Sequence, residues 1–167
     1  MGEGEGFEVV DEVEYGDLTE VRETRVVIPP TQNVRVRIAR VTVRNSQDGA
    51  VKRIALQVNL VDGIDVEGKF RNKAVFADID YWADLAVKTT DWYKNKQYLI
   101  AFKQLLGALG YPLTGGKVND EFLSGLVGRE LLVNIQVEKE TVFDTATGQR
   151  EDTGGFRNRL RGWKAAP

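Results

Sequence analysis

Apolar–polar alternation decides what this chain can become. In Val51–Asp62 the residues Ile54, Leu56, Val58 and Leu60 share one parity, and Arg53, Ala55, Gln57 and Asn59 hold the other. A period of two belongs to a β-strand with one buried face, because successive side chains leave opposite faces of the backbone. Asn33–Arg44 alternates too, but its parity changes halfway. Val34, Val36 and Ile38 are apolar with Arg35 and Arg37 between them; then Val41 and Val43 are apolar among Arg40, Thr42 and Arg44. A regular strand cannot make that change without turning its core face to solvent, so a bulge or sharp bend is predicted at Ala39-Arg40.

The remaining elements follow from turn signals and period. Ile28-Pro29-Pro30-Thr31 is a breaker before the first strand, and Asn45–Gly49 is a turn before the second. Phe70–Phe76 reads as a third strand, with Phe70, Ala74 and Phe76 inward and Arg71, Lys73 and Val75 outward. Asp78–Thr90 keeps no single period. From Lys94 to Leu109 the spacing of Tyr98, Leu99, Phe102, Leu105, Leu106 and Leu109 is helical; Thr90 or Asp91 can cap it and Gly110 stops it. Asp120–Leu126 suggests a second, short helix. Arg129–Lys139 is a fourth strand, Glu140–Gly155 a polar loop expected to act as a flexible flap, and Phe156–Gly162 a fifth strand. Three hairpin-linked strands, a helix and two closing strands is the order of an OB-fold. The expected class is thus all-β with one main helix, a five-stranded Greek-key barrel with the helix between strands three and four.

A chain of 167 residues with 42% hydrophobic and 29% charged residues is the size of one globular domain. No apolar run approaches the roughly 18 residues of a membrane span. The acidic, Gly-rich start lacks the basic and apolar stretches of a secretory signal, so a cytoplasmic setting is expected, that of a host cell if the source is viral. Cysteine and histidine are both absent, which excludes Cys/His zinc sites, Ser-His-Asp triads and Cys-His nucleophiles. No cofactor is called for. The net charge of −2 conceals an uneven distribution. Residues 1–24 carry nine acidic side chains against one basic, whereas residues 25–167 carry 22 basic against 16 acidic. The division is therefore an acidic, flexible arm (1–24) and a basic domain (25–167), and such asymmetry points to a polyanionic partner. The arm reads either as a solvated tail or as an internal mimic of nucleic acid that competes for the basic face.

Three stretches of the second half, Leu105-Leu-Gly-Ala-Leu-Gly110, Leu126-Val-Gly-Arg-Glu-Leu-Leu-Val133 and Gly155-Phe-Arg-Asn-Arg-Leu160, resemble phage-type single-stranded-DNA-binding proteins of the OB-fold class. There a helix ending in "alg" leads to "l-x-G-r-x-l-x-v", a charged strand and a terminal strand with "N-x-v/l". The resemblance covers roughly residues 33–162. It implies single-stranded DNA binding in replication or recombination, with proteins of those processes, or further copies of the chain, as partners. The acidic arm departs from the pattern, since proteins of this type more often carry it at the C-terminus.

The outward parity of the strands supplies the candidate site: Arg35, Arg37, Arg40 and Arg44 on strand one, Arg53 on strand two, Arg71 and Lys73 on strand three, and Arg157, Arg159 and Arg161 on strand five, whose parity Trp163 shares. A groove that neutralises phosphates and offers flat side chains for stacking suits sequence-tolerant single-strand binding, and arginine serves both ends. Trp92 and Tyr93, beside Lys94, are further stacking candidates; Phe76 is the weakest, because its assigned parity points inward. RNA would satisfy the same features as DNA. The plainer reading is a strand face kept charged for solubility and against edge pairing. Two rival functions are an adaptor barrel whose basic face meets an acidic protein, and a nuclease holding Mg²⁺ on a separate cluster, Asp78, Asp80 and Asp84.

Overall fold

The computed structural model describes residues 11–19 and 27–167. The arm predicted for residues 1–24 lies outside the described residues except for 11–19, all of them exposed. Five strands, β1 (Thr31–Asn45), β2 (Val51–Leu60), β3 (Ala74–Ala83), β4 (Glu130–Asp144) and β5 (Gln149–Ala165), form one antiparallel sheet in the order β3-β2-β1-β4-β5. Between β3 and β4 lie α1 (Asp91–Lys94), a 3₁₀ turn (Gln97–Leu99), α2 (Ile100–Leu109) and α3 (Asp120–Leu126). The architecture is thus mostly antiparallel β with few helices. The outer strands β3 and β5 touch, but no hydrogen-bonded ladder joins them, so the sheet is not closed.

The parity change in β1 is a bulge. Its pairing with β2 shifts register between Ile38 and Arg40, so Ile38 faces Val58 and Val41 faces Leu56 on the same buried side. Here β1 also leaves its other neighbour: Ile38 N donates to Arg129 O and Gly128 N donates to Ile38 O, at 2.9 and 2.8 Å. Val34, Val36 and Ile38 pack with Ile54, Leu56, Val58 and Leu60 of β2, with Leu131, Val133 and Ile135 of β4, and with Leu105 and Leu109 of α2. Each such side chain contributes roughly 1.5–3 kcal/mol by leaving water. Gly110, at φ 78°, ends α2 where the sequence predicted, with Tyr111 N returning to Leu106 O. Asn119 caps α3 by accepting from Phe122 N at 2.9 Å.

Four expectations are corrected. The third strand begins at Ala74, and its parity is the reverse of the one read: Val75 is buried while Phe76 is 65% exposed. Phe70 and Asn72 instead adopt positive φ in a turn closed by Asn72 N donating to Leu60 O, so the alternation starts afresh after it. The predicted helix from Lys94 is broken at Lys96, which has φ 59°. Glu140–Gly155 is not a loop: Thr141–Asp144 pairs with Gln149–Asp152, making a two-stranded ribbon. Finally, Trp163 does not share the outward side of Arg157, Arg159 and Arg161. The β4–β5 register shifts between Leu132 and Asn134, where Gly162 at φ 68° adds a residue, and Trp163 turns into the core at 4% exposure.

Candidate nucleic-acid interface

The outward faces of the strands meet in a cleft of about 990 Å³. One wall comes from β1, β2 and β3. Cross-strand pairing sets Arg40 beside Gln57 and Gln57 beside Phe76, then Thr42 beside Ala55 and Ala55 beside Asp78. The bulge at Ala39 aims Arg40, Thr42 and Arg44 into this wall, and Lys73 joins from the turn before β3. The opposing wall is the base of the β4–β5 ribbon, with Glu138, Arg157 and Arg159; Val27, Asn158 and Leu160 also line the cleft. Five basic side chains (Arg40, Arg44, Lys73, Arg157 and Arg159) thus face two carboxylates, Asp78 and Glu138, with the exposed ring of Phe76 among them.

Both carboxylates are held by cleft arginines. Arg44 donates to Asp78. Glu138 Oε1 accepts from Arg157 Nε at 2.8 Å and its Oε2 accepts from Arg159 Nη1 at 3.2 Å. Burial pushes the Glu138 carboxyl up, but the hydrogen bonds and positive charges of Arg157 and Arg159 together outweigh it and hold the group below its ordinary value. Arg40 and Lys73 have no acidic partner among the described residues.

The other predicted site residues lie outside this cleft. Arg35 and Arg37 both clasp Glu130, at 2.8 and 2.6 Å, and lower its pKa by those hydrogen bonds. Arg53 Nε sits 3.0 Å from Asp80 Oδ1, out of line for a hydrogen bond; burial raises the Asp80 pKa, against the pull of Arg53. Arg71 and Arg161 are exposed without lining the cleft. Trp92 is 50% exposed on α1, and the Tyr93 ring lies tilted at 43° against Tyr98, centroids 5.2 Å apart, with Lys88 Nζ 5.9 Å from it. Trp163, being in the core, offers no face to a base. The structure adds Thr42, Gln57, Asp78, Glu138 and Asn158. Thr42, Gln57 and Glu138 had an outward parity that alternation alone could have revealed; Asn158 had none, and its place follows from the approach of Ile28.

Asp78, Asp80 and Asp84 do not converge. The first two engage Arg44 and Arg53, while Asp84 Oδ1 accepts from Ala86 N. Among the described residues no group of three or more acidic side chains is placed to hold a metal ion, and no helix is long and apolar enough to cross a membrane. A second concavity, about 760 Å³, lies over Tyr81, Phe102, Tyr111 and Phe122. No family model and no curated protein matches the chain.

Proposed function

We propose that this protein is a non-catalytic, sequence-independent binder of single-stranded DNA serving replication or recombination, and that its five-stranded sheet is an OB-type barrel. The strand order with β1 central, and the helices between β3 and β4, support the barrel reading. The observation that carries the function is the cleft, where Arg40, Arg44, Lys73, Arg157 and Arg159 surround the exposed ring of Phe76. Guanidinium and ammonium groups neutralise a phosphate backbone, and an exposed ring stacks on any base, so this chemistry binds a strand without reading it. Arg35, Arg37, Arg53, Arg71, Arg161, Trp92 and Tyr93 are not needed for it.

Fluorescence anisotropy of labelled dT oligomers across a salt series, with duplex and RNA controls, tests the reading. Neutralising about five phosphates gives a log–log slope of roughly −3 to −4 for a single strand. Such a slope with preference over duplex is the expected result. No binding at low salt would overturn the reading and leave the cleft to an acidic protein partner.

A further inference from the structure

The sheet carries the same charge device twice. On β4, Glu138 stands directly opposite Arg157 of β5, with Arg159 two residues further along the same face. Glu130 stands directly opposite Arg37 of β1, with Arg35 two residues away. In each case a single carboxylate offers one oxygen to each of two guanidiniums: Glu138 to Arg157 and Arg159 at 2.8 and 3.2 Å, Glu130 to Arg35 and Arg37 at 2.8 and 2.6 Å. Two oxygens on one anionic centre, spanning two guanidiniums, is also how arginines hold a phosphate. The devices differ in place. Glu138 and its arginines line the cleft, whereas Glu130 and its arginines do not.

We infer that Glu138 occupies, in the free protein, the position of one backbone phosphate of the bound strand, and that binding exchanges its carboxylate for that phosphate on the Arg157–Arg159 fork. The inference rests on the single-strand reading. Arg40 and Lys73, having no acidic partner among the described residues, are available to the first phosphates to arrive. Arg157 and Arg159 become available only when Glu138 lets go. Its side chain is 29% exposed and theirs are 45% and 47% exposed, so the strand reaches the fork from solvent, and ion pairs this wet open readily. The released carboxylate then remains beside the phosphate that replaced it, and like charges repel. Glu138 therefore pre-aligns the fork and also holds affinity down, keeping the bound strand exchangeable.

The test compares the full chain with Glu138→Gln and Glu130→Gln by dT-oligomer anisotropy across a salt series, with thermal melts alongside. Glu138→Gln is expected to tighten binding at low salt by roughly two- to fivefold, the strength of an exposed ion pair. It should also steepen the salt slope by up to about 0.7, one more phosphate neutralised. Glu130→Gln is expected to leave both unchanged. Glu138→Thr, which suits a strand, should tighten binding likewise and covers the case in which the glutamine variant melts early. If the unaltered chain binds and the Glu138 variants bind equally or more weakly, the carboxylate only positions the arginines and the exchange is refuted. Equal tightening by Glu130→Gln would also refute it, because net charge alone would then account for the gain. A chain that binds no oligomer at all overturns the single-strand reading itself, a result distinct from either of these.

Discussion

Phe76 and Trp163 exchange the roles that parity assigned them, and the exchange is measurable. A phenyl ring 65% exposed on an outer strand gains little from its own fold, yet it lines the cleft with Arg40, Gln57 and Asp78. Phe76→Ala is expected to weaken dT binding by about 1–3 kcal/mol, one stacked base, with stability changed by no more than about 0.5 kcal/mol. Trp163→Ala should do the reverse. Removing an indole from the core costs about 3–5 kcal/mol of stability, read from urea denaturation. Carboxylates sort the same way with pH. Hydrogen bonds from arginines hold Glu130 and Glu138 low, so their stabilisation is complete above the unfolded glutamate pKa of about 4.3 and is lost as pH falls through their folded values. The double variant Glu130→Gln, Glu138→Gln should accordingly lose less melting temperature between pH 5 and pH 3 than the unaltered chain.

Bulges decide which faces the strands show, and they explain what was legible. At Ala39 the bulge sits between two apolar runs long enough to declare their parities, so it could be read from Val34, Val36, Ile38, Val41 and Val43, and its consequence for Arg40 and Arg44 followed. At Gly162 only Trp163 lies beyond the irregularity on the buried side, and a single residue cannot announce a change of parity. In β3 the difficulty was the start. Positive φ at Phe70 and Asn72 makes a turn of residues whose composition suits a strand, while the true alternation of Val75, Ala77 and Ile79 lay in a segment interrupted by acidic side chains. Strand pairing and the ribbon of β4 and β5 were likewise hidden, because polar residues such as Thr141 and Arg150 hold it through a hydrogen bond and not through a buried face. The Gly162 bulge can be tested by itself. A Cβ there would lie 2.9 Å from Asn134 Nδ2 at a φ of 68°, so Gly162→Ala is expected to cost about 1–3 kcal/mol, measured by denaturant midpoint.

At the scale of the whole molecule, the opposed charges of arm and body share one junction. Val27, near the start of the body, lines the cleft, and Ile28 is fixed beside it by donating to Asn158 Oδ1 at 2.8 Å and accepting from Asn158 Nδ2 at 2.7 Å. Residues 1–24, with their nine acidic side chains, are thus joined to the chain a few residues before a position that lines the cleft with Arg157 and Arg159. A tether of this length gives a local concentration in the millimolar range, enough for an acidic segment to compete with a weakly held strand. Removing residues 1–24 should therefore tighten dT binding at low salt. The advantage should fade as salt rises, because the screening length falls from about 30 Å at 0.01 M to about 3 Å at 1 M. Titrating full-length and shortened chains side by side through that range separates the two roles given to the arm. Curves that converge at high salt mark a competitor for the cleft; curves that coincide at every salt mark a tail that never visits it, and Glu138 would then be the cleft's own competitor for phosphate.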